Sequence, residues 1–142
     1  MEPMLSMQVA ALLLALAKLG GLALGAIHLS GAMRPPSWLA LLHGVLAAAG
    51  LSGLIYAAIC TGLPILARVA TATLLVAASG GLFLNRRYHA RQQPLPLMAL
   101  HVVVAVTGFA LLLWCLSECG KNQRQTRRCS MKMSPPAVTV TR

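Results

Sequence analysis

Few side chains in this chain can do chemistry, and they fall into three groups. There are four imidazoles, His28, His43, His89 and His101; one lysine deep in an apolar run, Lys18; and four thiols, Cys60, Cys115, Cys119 and Cys129. Carboxylates are nearly missing, since Glu2 and Glu118 are the only acids in 142 residues. Neutral imidazoles bind transition metals and can hold haem iron from its two axial sides. Zinc and copper sites built on imidazole usually recruit a carboxylate or thiolate as well, and neither type lies near the histidines, which favours haem over zinc. The run Cys129-Ser130-Met131-Lys132-Met133 offers sulfur donors of the kind copper(I) accepts, although spaced sulfurs in a polar segment are more often accidental. No CxxC pair is present, so a thioredoxin-like reading fails. Nor is there a carboxylate pair, a Ser/His/Asp or Cys/His constellation, or a phosphate-cradling glycine loop. Independent catalytic activity is not expected.

The elements that must position these groups follow from composition. Apolar residues make up 58% of the chain and charged residues 10%, against about 25% charged in a soluble domain. Four apolar stretches, Leu5–Leu29, Trp38–Cys60, Leu63–Leu84 and Leu95–Ser117, each reach the roughly 20 residues that cross a hydrocarbon core. Backbone groups in lipid must be satisfied internally, so the stretches are expected to be helices. The first lacks a preceding Lys or Arg and is about twice the length of a leader's apolar region, so it reads as a span. The fold class expected is an all-α membrane protein, an up-down four-helix bundle in residues 1–117. Ser30–Ser37 carries Pro35 and Pro36 as a stop with Ser37 placed to cap the second helix; Thr61-Gly62 forms a turn; and Asn85–Pro94 is read as a polar loop. Residues 118–142 lack apolar periodicity and are expected to form a basic, disordered tail.

An internal repeat converts spacing into geometry. At an offset of 58, Pro36 meets Pro94, Leu39 meets Leu97, His43 meets His101, Val45 meets Val103, Gly50 meets Gly108 and Leu54 meets Leu112. Upstream, Gly20-Gly21-Leu22 echoes Gly80-Gly81-Leu82, with His28 and His89 following at nearly equal distance. Two copies of one helical hairpin, an even number of spans each, imply parallel repeats related by an axis along the membrane normal. His43 and His101 then lie near one depth, about 9 Å inside the same face at 1.5 Å per residue, placed symmetrically and able to face one another. All four imidazoles can converge on that layer.

The sharpest chemistry for such a layer is b-type haem held between His43 and His101, with His28 and His89 as a second pair. Its propionates would emerge at the face carrying Arg34, Arg86, Arg87 and Arg91, where guanidinium groups pair with carboxylates. In this respect the four spans resemble the small four-helix cytochrome b-type membrane proteins, a resemblance that rests on those histidines and implies electron transfer. Set against it is a structural reading: an imidazole near an interface reaches headgroups or a backbone carbonyl, and duplication of a hairpin copies it. The corresponding function is a non-catalytic membrane accessory or scaffold protein of a larger complex, with no cofactor.

Lys18 lies about halfway along the first span, where a charge costs several kcal/mol. Four resolutions are open: deprotonation by desolvation, pairing with backbone carbonyls, meeting a carboxylate on another subunit, or snorkelling towards the amino-terminal face, which is preferred. Arg68 is expected to snorkel to that same face. Gly21 and Gly25 form a GxxxG pattern through which a homodimer can form. Of the net charge of +10, much lies in Lys121, Arg124, Arg127, Arg128 and Lys132, which suit anionic lipid headgroups rather than nucleic acid, there being no aromatic beside them for stacking. The positive-inside rule leans towards cytoplasmic termini in a multi-pass protein of a bacterial inner membrane.

Overall fold

The computed structural model describes the backbone of residues 3–31, 36–60, 62–89 and 95–133, and their side chains other than those of 3, 87–89 and 126–133. Four helices account for it: α1 (Pro3–Leu29), α2 (Ser37–Cys60), α3 (Ile65–His89) and α4 (Leu95–Met133). No strand occurs among the described residues. Within them Met4–Leu29, Ser37–Cys60, Ile65–Arg86 and Leu95–Gln125 are long and apolar enough to cross a membrane. Leu and Ala dominate these stretches, and both are good helix formers.

The packing is the inverse of a soluble bundle. Small residues fill the middle, with Ala10, Ala17, Ala57, Ala67 and Ala70 almost fully buried, while Leu19, Leu22, Leu41, Ile59 and Val76 stand exposed. The largest fully buried side chains are Leu54 and Leu112, which are repeat equivalents. So broad an apolar exterior is far beyond what a monomeric soluble protein carries.

Pairing follows the repeat. α1 packs along α2 and α3 along α4, with thinner contacts between α1 and α4 and between α2 and α3, and none among the described residues between α1 and α3 or α2 and α4. Exchanging the halves maps each of these contacts onto its counterpart, as a pseudo-two-fold axis requires. The close approaches are duplicated too. A Cβ on Gly50 would lie 2.8 Å from Leu14 Cγ, and one on Gly108 would lie 2.9 Å from Leu74 Cγ. Only glycine lets each hairpin close to this spacing.

Helix ends differ from expectation in detail. α1 stops at Gly31, which takes φ 68°, ahead of the two prolines; Ser30 N donates to Ala26 O at 3.0 Å. Glycine adopts that left-handed conformation without penalty. The second turn uses Gly62 at φ 64°. Pro36 O accepts from Leu39 N and Ala40 N at 3.1 and 3.4 Å, so Pro36 holds the capping position and Ser37 is already the first helical residue. α3 continues to His89, shortening the polar loop from its amino-terminal side.

The largest difference is α4, which runs unbroken to Met133 through residues expected to be disordered. Apolar periodicity is the wrong guide there. Lys121, Gln123, Arg124, Gln125, Arg127 and Arg128 are strong helix formers, Lys121 Nζ donates to Glu118 Oε1 at 2.7 Å one turn away, and no proline interrupts the chain between Pro96 and Pro135. Extending an existing helix also avoids the cost of nucleating a new one.

Candidate functional site: the histidine–lysine layer

In an α-helix each carbonyl accepts the N–H four residues on and keeps a second lone pair. Side chains normally screen that lone pair. At Ala17 the residue four on is Gly21, and at Ala77 it is Gly81, so the backbone is bare on one side. His43, on α2, fills the gap at α1: its Nδ1 lies 2.7 Å from Ala17 O. A Cβ on Gly21 would sit 2.9 Å from His43 Cε1. The second half repeats the arrangement, with His101 Nδ1 2.9 Å from Ala77 O and its Cε1 3.0 Å from where a Gly81 Cβ would be.

A carbonyl only accepts, so in each ring Nδ1–H is the donor and Nε2 keeps its lone pair. Both rings are half-buried. Each is turned into its own hairpin and seated on a glycine of the neighbouring helix. Among the described residues, the histidines therefore occupy equivalent positions in the two halves, as the repeat implies.

Lys18 crosses between the halves. Its Nζ donates to Ala105 O at 2.8 Å and lies 4.8 Å from the centroid of the Phe109 ring. The preferred expectation, snorkelling to the amino-terminal face, is corrected: the ammonium is held sideways by α4 at its own depth. Ala105 is one turn beyond His101, and Lys18 adjoins Ala17, so His43, Lys18 and His101 form one polar layer. The equivalent of Lys18 in the second half is Ala78, and the other seam lacks a counterpart cation.

Three other hydroxyls in the helices are satisfied by carbonyls of their own helix. Thr71 Oγ1 donates to Ala67 O at 2.8 Å, Thr107 Oγ1 to Val103 O at 2.9 Å and Ser79 Oγ to Leu75 O at 3.0 Å. Arg68 is exposed, as expected of a residue near an end, and its Nε donates to Leu63 O at 3.1 Å.

The remaining expected site residues are less engaged. His28 is half-buried in the last turn of α1, and Arg86 is exposed on α3. Arg34 and Arg91 lie outside the described residues, as do the side chains of Arg87 and His89. No group of three or more His, Cys, Asp or Glu side chains that could hold a metal ion converges among the described residues. A shallow groove of about 260 Å³ opens between α3 and α4, lined by Val76, Ala77, Gly80, Leu97, Leu100, His101 and Val104.

Sequence reasoning missed the partners rather than the polar residues. The glycine pairs Gly20-Gly21 and Gly80-Gly81 were visible as repeat markers, and their placement 22 residues before His43 and 20 before His101 was the available signal that they seat the rings. Ala105 and Phe109 carried no signal at all. Comparison with known protein families, characterised proteins and solved structures finds no match to this chain.

Proposed function

We propose that the chain is a multi-pass integral membrane protein acting as a non-catalytic accessory or scaffold subunit, its intramembrane polar residues serving to fasten its own helices. One observation carries this reading: His43, Lys18 and His101 each donate to a backbone carbonyl on another helix, at 2.7, 2.8 and 2.9 Å. The three bonds close both hairpins and the α1–α4 seam. Interhelical hydrogen bonds in membranes contribute about 0.6 kcal/mol on average and up to about 1.7, enough together to matter in a bundle whose core is mostly alanine. The exposed Leu, Ile and Val exterior is left for lipid and for a partner subunit or a second copy. The basic end of α4 suits anionic headgroups on the cytoplasmic side.

A second reading is favoured by the ring tautomers. Histidines that ligate metal almost always donate the other ring N–H to a carbonyl or carboxylate, and both rings here have Nδ1 so engaged and Nε2 as a lone pair. Haem b between His43 and His101 would supply one-electron chemistry, with Arg86 among the cations for its propionates and His28 and His89 as the further pair. Reduced-minus-oxidised visible spectra of protein purified after expression with ample haem decide between the two. A colourless, monodisperse protein is the expected result. A b-type α-band lost in His43→Ala and His101→Ala overturns the scaffold reading in favour of a membrane cytochrome.

A further inference from the structure

Sulfur gathers at the opposite end of the bundle from the histidines. Cys115 is 3% exposed in the core, and Cys119, one turn further along α4, packs against the same core. At this spacing the two Cβ atoms stand about 5–6 Å apart on one side of the helix, and Ala67 of α3 is buried in the same cluster as Cys115. Ala67 is in the first turn of α3, where N–H groups lack intrahelical partners and the positive end of the helix dipole lies. An anionic sulfur complex is well placed beside it.

α1 carries two methionines, Met4 and Met7, at this end of the bundle. Met7 is buried in the cluster that contains Cys115, and Met4 Cε comes within 3.8 Å of where a side chain on Gly120 would begin. Access is provided by an open groove of about 440 Å³ that Cys119 lines with Glu118, Lys121, Asn122 and Gln125. The repeat argues against a merely inherited packing residue, because the equivalent of Cys115 is Ala57, fully buried at 0% exposure.

We propose that Cys115 and Cys119 bind one copper(I) ion, with a methionine thioether of α1 completing a trigonal all-sulfur site. Thiolate and thioether donors select copper(I). Zinc in a structural site takes four nitrogen, oxygen or thiolate ligands, and no third such side chain joins this pair among the described residues. Binding is a proton-balanced exchange without electron transfer: one Cu⁺ displaces the protons of two thiols, giving a bis-thiolate complex of charge −1 and two released protons.

The test uses the full-length chain, reduced and anaerobic in detergent, titrated with copper(I) against bicinchoninate. The expected result is one ion per chain, with affinity falling at least roughly 100-fold in Cys119→Ser and Cys115→Ser, because half the thiolate set is gone. Affinity stays within about twofold in Cys60→Ser and Cys129→Ser, whose sulfurs are not ligands. Bound copper(I) should also protect half-buried Cys119, and not exposed Cys60, from alkylation by N-ethylmaleimide, read by peptide mass spectrometry. Half-buried Cys119 keeps the test decisive if Cys115→Ser does not fold. Failure to compete with bicinchoninate, or binding that follows Cys60 or Cys129, overturns the assignment.

Discussion

Ala17 and Ala77 matter through their carbonyls, and those carbonyls are reachable because of what stands one turn on. Adding a methyl at Gly21 or Gly81 pushes against an imidazole carbon 2.9 or 3.0 Å away. We expect Gly21→Ala and Gly81→Ala each to destabilise the bundle by about 1–3 kcal/mol, the usual cost of overpacking. Gly25→Ala is the opposing control, since nothing lies within 4 Å of its added Cβ and alanine is the better helix former by up to about 1 kcal/mol. Equilibrium unfolding in mixed SDS micelles distinguishes the two signs. Lys18 makes a separate prediction. Lys18→Met should improve membrane insertion of an isolated α1 segment by about 2.5–3.5 kcal/mol on insertion scales, measured by glycosylation mapping, while weakening the assembled protein in the same SDS titration. A substitution that strengthened both would refute the Ala105 bond. The polar residues of this layer were legible from type and repeat; their acceptors were not, because a backbone carbonyl leaves no mark on sequence.

Helices were the most legible level. Four uninterrupted apolar runs and short connections dictate four spans, and the starts and ends found lie within a few residues of those expected, apart from the polar ends of α3 and α4. The helix beyond Ser117 was missed because periodicity reports burial, and residues 121–125 are exposed; its helicity rests on propensity, an ion pair and continuity, while residues 134–142 of the expected tail lie outside the described residues. A proline there should be decisive. Arg124→Pro is expected to remove the helical far-UV circular dichroism contributed beyond it while leaving the apolar bundle folded, since proline in a helix interior costs about 3 kcal/mol. Unchanged ellipticity would mean the segment is not helical in solution. Hairpin closure offers a matched pair: Gly108→Ala meets Leu74 at 2.9 Å, whereas Gly44→Ala on α2 meets nothing within 4 Å. Only the first should lower thermal stability.

At the scale of the molecule, antiparallel helices with short turns put Cys60 and Cys119 at one end and Ser30 at the other. With termini cytoplasmic, a Ser30→Cys variant lacking native thiols should react with membrane-impermeant maleimide in intact cells, and a chain retaining only Cys60 should not. The reverse labelling would invert the orientation while leaving the bundle unchanged. The pseudo-two-fold relation itself was readable from Pro, His and Gly at fixed offsets, whereas one departure from it, Lys18 opposite Ala78, acquires meaning only from its partner. That partner lies 87 residues later in the chain. During synthesis the first hairpin can close as soon as it leaves the ribosome, since His43 finds Ala17 within it. Lys18 must wait for the last span to arrive. A truncated or stalled chain therefore carries an uncompensated cation in its first segment, a molecular signature of incompleteness that the finished protein conceals by the Ala105 bond.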